Sequence, residues 1–213
     1  MVILPTSVAL RFRTCLGLRK PVENLSALST KDLIQTFGGW NEGHFIFRTG
    51  EHGNGYIEKM GYLRYPEIMT EVGSRLAEQY RDIAEQIDIV VGPSIIGTIL
   101  AYSVANHLRV PYTATYRRDE DIHFHRGFIP EAGTRCLFVD DSVFTGKDLR
   151  DNIQYMLDSG IKVVGASVVV IRKDLVLPVP LRSLIKANFI KTSPELCQMC
   201  ASGVPVTASN IRE

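Results

Sequence analysis

The stretch CLFVDDSVFTGKDLRD, Cys136 to Asp151, restricts what this chain can fold into more than any other. Cys136-Leu137-Phe138-Val139 is an apolar run that ends in two adjacent carboxylates, Asp140 and Asp141. A short Ser/Thr/Gly loop follows, then a helix from Lys147 to about Asp158, with Ile153 and Leu157 inward and Gly160 as its C-terminal stop. A strand apolar on both faces that feeds directly into a helix belongs to a parallel sheet covered on two sides.

The rest of the chain alternates in the same way. Asp88-Ile89-Val90-Val91, Tyr112 to Tyr116 and Lys162 to Ile171 (KVVGASVVVI) are extended apolar runs, and Ser94 to His107 is a helical stretch between the first two. Upstream, Thr30 reads as the N-cap of a helix through Phe37 that Gly38-Gly39 stops. Gly43 to Lys59 reads as two short extended runs joined by a glycine-rich turn. Pro66 opens a long helix whose core-facing stripe is Ile68, Met69, Val72, Leu76, Tyr80 and Ile83. The expected class is α/β, a parallel sheet flanked by helices, and 213 residues suffice for one such domain with a modest subdomain.

Composition excludes some partners. A net charge of +1 supplies no basic surplus for nucleic acid or an anionic membrane, and no apolar run is long enough to span a bilayer. Four cysteines, only two of them close together, do not form a disulfide framework, so a reducing compartment, the cytoplasm, is expected. Residues 1–22 carry four arginines or lysines before the first acidic residue, Glu23. They read as an N-terminal extension, either an organelle-targeting leader or a disordered arm, ahead of a domain over 23–213.

In a doubly wound sheet ligands bind at the carboxyl ends of the strands. Backbone N–H groups of the loop after Asp141, with the helix N-terminus behind them, suit a phosphate dianion. Adjacent carboxylates accept hydrogen bonds from the vicinal hydroxyls of a ribose. A lone acidic pair would equally fit a magnesium site or a solvated strand end. The strand before it and VFTGK after it select the ribose 5-phosphate reading. A Walker A loop is excluded, since Thr145-Gly146-Lys147 lacks the earlier glycine.

This segment resembles the PRPP-binding signature of type I phosphoribosyltransferases, an apolar strand followed by D/E-D-x-x-x-T-G. The resemblance implies that fold, with Asp140 and Asp141 on the ribose hydroxyls and Ser142, Val143, Phe144, Thr145, Gly146, Lys147 and Asp148 forming the 5-phosphate loop. The orotate branch of the family is the nearer. GHFIFRTGEHGNGYIEK is similar to its N-terminal hairpin, with Arg48 at the basic position, and implies a small hood from about 30–65 and the C-terminal segment. Gly92-Pro93-Ser94-Ile95 resembles the pyrophosphate loop, which continues through Ile96 to Gly97. Tyr116-Arg117-Arg118 resembles the start of the mobile catalytic loop, and His125-Arg126-Gly127-Phe128 its return strand. By resemblance Arg117 and Arg118 join Asp140 and Asp141 as catalytic residues, His123, His125 and Arg126 meet the leaving pyrophosphate, and Arg172 with Phe144 faces the base. Magnesium is implied as a companion of PRPP, a nucleobase as second substrate and a homodimer as the assembly.

Three positions depart from the family pattern. Phe144 replaces a hydrogen-bonding side chain, Asp148 puts a carboxylate in the phosphate loop, and Asp119-Glu120-Asp121 follows Arg118 where lysines are usual. Phe144 can stack on a base but offers no side-chain hydrogen bond, which argues against a purine. The reading is phosphoribosyl transfer to orotate. A non-catalytic nucleotide-binding regulator and a transferase for another base stay open. Cys197 and Cys200 supply half a structural zinc site, and no second pair at suitable spacing completes it, so no metal ligand is assigned. Trp40 is read as a packing residue.

Overall fold

The computed structural model describes residues 24–211, so the expected leader and Cys15 lie outside the described residues. The elements run α1 (Thr30–Thr36), β1 (Trp40–Phe47), β2 (His52–Ile57), α2 (Lys59–Leu63), α3 (Pro66–Glu78), β3 (Ile89–Pro93), α4 (Ser94–Leu108), β4 (Tyr112–Arg118) and β5 (Asp121–Phe124). They continue with β6 (Arg135–Val143), α5 (Lys147–Asp158), β7 (Lys162–Ile171), β8 (Leu181–Lys186), β9 (Lys191–Thr192), α6 (Gln198–Ala201) and β10 (Ala208–Ile211). Ser29, one residue before the expected Thr30, caps α1. Its hydroxyl accepts from the Asp32 N–H at 3.1 Å, because its extended backbone aims the side chain into the first turn.

The main sheet has the order β5-β4-β3-β6-β7-β8, parallel throughout except for the antiparallel edge strand β5. Alternation along the strands splits its apolar residues between two layers. Val90, Leu137, Val139 and Val169 pack under α3 and α4 with Leu76 and Leu100. Val91, Cys136, Phe138 and Val168 face Leu149, Ile153 and Met156 of α5. At about 1.5–3 kcal/mol for each large apolar side chain removed from water, these two layers are the main favourable term in folding. Burial on both faces explains why β6 and β7 read as continuous hydrophobic runs.

A second sheet, β10-β1-β2-β9, is built on the β1–β2 hairpin and closed on both sides by the C-terminal segment. It joins the main core through Ile57, Leu33 and Ile34. Trp40 packs on Phe189, ring centroids 4.9 Å apart. Gly55 lets that ring pass, since a Cβ there would lie 2.3 Å from it. Among the described residues no helix is long and apolar enough to cross a membrane.

The segment similar to a mobile loop is a β-hairpin in this structure. β4 and β5 pair from Thr115↔Phe124 to Arg118↔Asp121, and Asp119 turns the corner in the left-handed region, φ 55°. The return strand is Asp121–Phe124, and the expected His125–Gly127 stretch is a short 3-10 turn beyond it. Buried Ile122 and Phe124 fix the hairpin, with Phe124 on Tyr155 of α5 at 5.5 Å.

Candidate functional site

Parallel register puts the ends of β3 and β6 side by side. Val90↔Leu137 and Val91↔Phe138 are paired, so the turn at Gly92–Ser94 stands next to Asp140 and Asp141. Two helices start here, α4 at Ser94 and α5 at Lys147, and neither N-cap residue, Pro93 or Gly146, supplies a side-chain cap. Each presents unsatisfied N–H groups and the positive end of a helix dipole. Ser94 holds φ 58°, a conformation that costs about 1–3 kcal/mol for a residue with a Cβ and that concentrates at ligand sites. Gly92 and Gly97 make the turn tight. A Cβ on Gly92 would fall 2.0 Å from the Gly97 carbonyl oxygen, and one on Gly97 would lie 2.6 Å from Pro93 Cδ and 3.3 Å from Asp140 Oδ1. The Ile95 side chain is exposed on α4.

The two acids have different surroundings. Asp140 is half-buried, and its Oδ1 accepts the Asp141 N–H at 2.8 Å. Burial first, and then the neighbouring Asp141 charge, push its carboxyl well above the usual carboxylate range. Asp141 turns inward with its side chain 6 % exposed. Its Oδ1 accepts from the Ser142 N–H at 2.7 Å, and Lys59 Nζ stands 2.8 Å from its Oδ2. The two acids, expected to serve a ribose alike, thus differ in exposure and in partner. Strand alternation sends Asp141 toward α2, where it meets a lysine. Burial pulls the Lys59 ammonium down, but Asp141 and Asp140 outweigh it and its pKa is raised. Tyr62 lies in the same place. Its hydroxyl is buried without a hydrogen-bond partner, and burial plus the Asp141 charge push its pKa up. Sequence reading missed both residues, because nothing local marks a lysine opening a five-residue helix.

Beyond Asp141 the loop runs through Phe144 and Thr145 to Gly146, whose φ of 78° starts α5. Thr145 Oγ1 accepts the Lys147 N–H at 3.2 Å, and a Cβ on Gly146 would strike Leu175 at 2.7 Å. Asp148 points out of the loop, 78 % exposed, and binds Arg117 Nη2 at 2.9 Å. Arg117 also holds Asp151 at 2.8 Å, and Lys147 meets the same Asp151 oxygen at 2.6 Å. The hydrogen bond from Lys147 and that from Arg117 lower the Asp151 pKa. Arg117, expected as a catalytic residue, is here engaged with α5 through these two carboxylates. It shares with Thr115 the hairpin face that lies on α5, where Thr115 donates to Asn152 at 2.6 Å. Tyr116, Arg118 and His123 occupy the opposite face, with Tyr116 5.7 Å from His123 and 6.1 Å from His125. Arg118, His123, His125 and Arg126 are all exposed, which leaves them able to reach a ligand.

Val143 pairs with Ile171, which brings Phe144 beside Arg172. The guanidinium carbon sits 4.2 Å over the Phe144 ring centre. Arg48 is exposed in the β1–β2 turn, on the small sheet and not at the strand ends of the main one.

The structure overturns the expectation that Cys197 and Cys200 lack a second pair. His44 on β1 and His52 on β2 meet them, one ligand atom of each lying within 4.8 Å of the others. Sequence spacing could not show this, because the hairpin and the C-terminal segment come together only through the small sheet.

The half-buried Asp140 carboxylate lies beside the N-termini of α4 and α5, at the carboxyl ends of the strands where α/β sheets bind their ligands. Residues 61–180 match the phosphoribosyl transferase domain. The orotate phosphoribosyltransferase of Caldanaerobacter subterraneus subsp. tengcongensis is 32 % identical over 175 residues, 81 % of this chain and 91 % of that one. The orotate phosphoribosyltransferase of Caldicellulosiruptor bescii is 31 % identical over 185 residues, 84 % and 96 %. Among solved structures, the orotate phosphoribosyltransferase from Aeropyrum pernix superimposes with a TM-score of 0.62 at 22 % identity, covering 75 % of this chain and 93 % of that one. The adenine phosphoribosyltransferase from Rhodothermus marinus gives 0.59 at 22 %, covering 74 % and 98 %. The chain belongs to the phosphoribosyltransferase family.

Proposed function

We propose that this protein transfers the phosphoribosyl group of PRPP to orotate, giving orotidine 5-phosphate and pyrophosphate. The observation that carries the reading is the pair of N-termini of α4 and α5, whose N-cap residues supply no side-chain cap, at the strand ends beside Asp140. PRPP is a ribose with a phosphate at one end and a diphosphate at the other, and two helix N-termini beside a carboxylate suit it. The α5 loop takes the 5-phosphate, the Gly92–Ser94 turn takes the diphosphate, and Asp140 accepts from the ribose hydroxyls. Asp148, turned to Arg117, leaves the phosphate loop without an opposing charge, which favours the enzyme over a regulator that lost turnover.

In the reaction a ring nitrogen of the base forms a bond to the anomeric carbon as the bond to the pyrophosphate oxygen breaks, through an oxocarbenium-like transition state. The chain contributes position and electrostatics. Asp140 orients the ribose, with Lys59 balancing the adjacent Asp141. Arg118, His123, His125 and Arg126 stand ready for the leaving group on the free face of the hairpin. Arg172, lying on Phe144, offers a fork of donors to a base carboxylate. The donor set also fits magnesium arriving with PRPP, since Asp140 is a carboxylate whose charge is under-compensated. When bound, magnesium neutralises diphosphate oxygens.

A homodimer is part of the same proposal. Ile95, Ile99 and Tyr102 form one exposed apolar stripe along α4. Tyr112 extends it, 5.5 Å from Tyr102, toward a groove of about 500 Å³ that includes Thr98, His125, Phe128 and Ile129. A second copy bearing the same stripe is self-complementary to it.

Pyrophosphate release from PRPP and magnesium across a panel of bases tests the reading. Orotate is expected to give the highest kcat/KM. Faster release with adenine or guanine would refute the base assignment.

A further inference from the structure

The His44, His52, Cys197 and Cys200 cluster lies on the small sheet, apart from the strand ends just described, and PRPP chemistry does not use it. His44 Nε2 is 3.0 Å from His52 Nδ1, 3.5 Å from Cys197 Sγ and 3.6 Å from Cys200 Sγ, and His52 Nδ1 is 3.2 Å from Cys200 Sγ. Around a tetrahedral zinc, with nitrogen at about 2.0–2.1 Å and sulfur at about 2.3 Å, nitrogen atoms stand about 3.3 Å apart and nitrogen–sulfur pairs about 3.5 Å. These four separations match those edges to within about 0.3 Å, and all the ligand atoms lie within 4.8 Å of one another.

The tautomer of His44 is set to match. Its Nδ1 lies 2.8 Å from the Val204 carbonyl, which can only accept, so Nδ1 carries the proton and the Nε2 lone pair faces the cluster. His44, His52 and Cys197 are buried. Four convergent donors with so little access to water are poorly served by one another, since thiols are weak hydrogen-bond donors. Cys200 is the exposed member and leaves a route of entry.

We propose that these four residues hold a structural Zn²⁺ ion in a closed Cys2His2 site. As the ion binds, both thiols release their protons and the two imidazoles stay neutral, so the filled centre has no net charge. All four positions come from the protein, which leaves none open for substrate and assigns the ion to the fold. Two thiolates with two imidazoles in tetrahedral array select zinc over the oxygen-seeking magnesium of the PRPP site. The centre ties the C-terminal segment to the β1–β2 hairpin, reinforcing the Thr207 N–H bond to the His44 carbonyl at 2.7 Å and the β10–β1 pairing.

The test uses the full chain without a histidine tag, purified under reducing conditions. Elemental analysis is expected to find about one zinc per chain. A Cys197→Ser/Cys200→Ser variant is expected to hold less than a tenth of that, while His107→Ala keeps it all. Stripping the ion with a chelator should lower Tm by about 5–15 °C, reversed by added zinc. Should the double variant fail to fold, cobalt exchanged into the native chain decides. Strong visible absorption with a thiolate charge-transfer band supports a tetrahedral sulfur-ligated site. A faint octahedral spectrum, no metal uptake, or a Cys197–Cys200 disulfide in the reduced preparation would overturn the proposal.

Discussion

Replacing Lys59 by Met keeps the bulk of the side chain and removes the ammonium paired with Asp141. The Lys59 ammonium is 2.8 Å from a carboxylate whose side chain is 6 % exposed, while the lysine itself is 38 % exposed. Breaking a fully buried pair by deleting one partner costs about 3–5 kcal/mol. Water reaches Lys59 from one side, so about 2–3 kcal/mol is the appropriate range here. For a chain of this size each kcal/mol moves Tm by about 2–4 °C, so Lys59→Met should melt about 4–12 °C below the native protein at neutral pH. Differential scanning calorimetry reads this directly. The cost is that of a stranded carboxylate, so adding Asp141→Asn should recover at least half of the loss. A single variant that melts within about 1 °C of native, or a double variant with no recovery, would refute the account of Asp141.

Asp140→Asn should act in the opposite direction. Its folded-state pKa lies above the unfolded value of about 3.9, so the ionised group destabilises the fold above both values and costs nothing below the unfolded one. The variant should therefore melt higher than native at pH 7, lose that advantage progressively as pH falls through the raised folded-state value, have none left below about 4, and show no PRPP binding by calorimetry; a lower Tm at pH 7 or intact affinity contradicts this. Arg172→Ala should raise KM for orotate by about 10–100-fold and KM for PRPP much less, the scale of a lost charge-assisted hydrogen bond. Equal effects on both would make Arg172 structural. Asp148→Thr should change PRPP affinity by less than about twofold, because its exposed carboxylate faces Arg117; a tenfold tightening would show that it crowds the phosphate.

What could be read in advance was what is local in the chain. Lys147–Asp158 and Lys162–Ile171 have the expected ends because amphipathic period, a glycine stop and a run of β-branched residues are written within those segments. The β6–α5 loop was legible for the same reason, being continuous from strand to helix. What could not be read concerns residues paired across distant segments. Asp141 meets Lys59, Arg117 meets Asp148 and Asp151, and Cys197 and Cys200 meet His44 and His52. Each partner is set by sheet register or strand alternation, which no spacing along the chain reports. Ser29 and Thr30 show a smaller ambiguity, two adjacent hydroxyls of which backbone geometry chooses one.

The central claim is that the strand ends at Asp140 and the N-termini of α4 and α5 form a working phosphoribosyl transfer site. Steady-state conversion of orotate to orotidine 5-phosphate by the native protein, with PRPP and magnesium, tests it most directly when run beside Asp140→Asn. The account predicts steady turnover by the native chain, pyrophosphate formed in equal amount, and loss of both in the variant. Tight PRPP binding by the native protein with no turnover of orotate would contradict it, and so would undiminished turnover by Asp140→Asn.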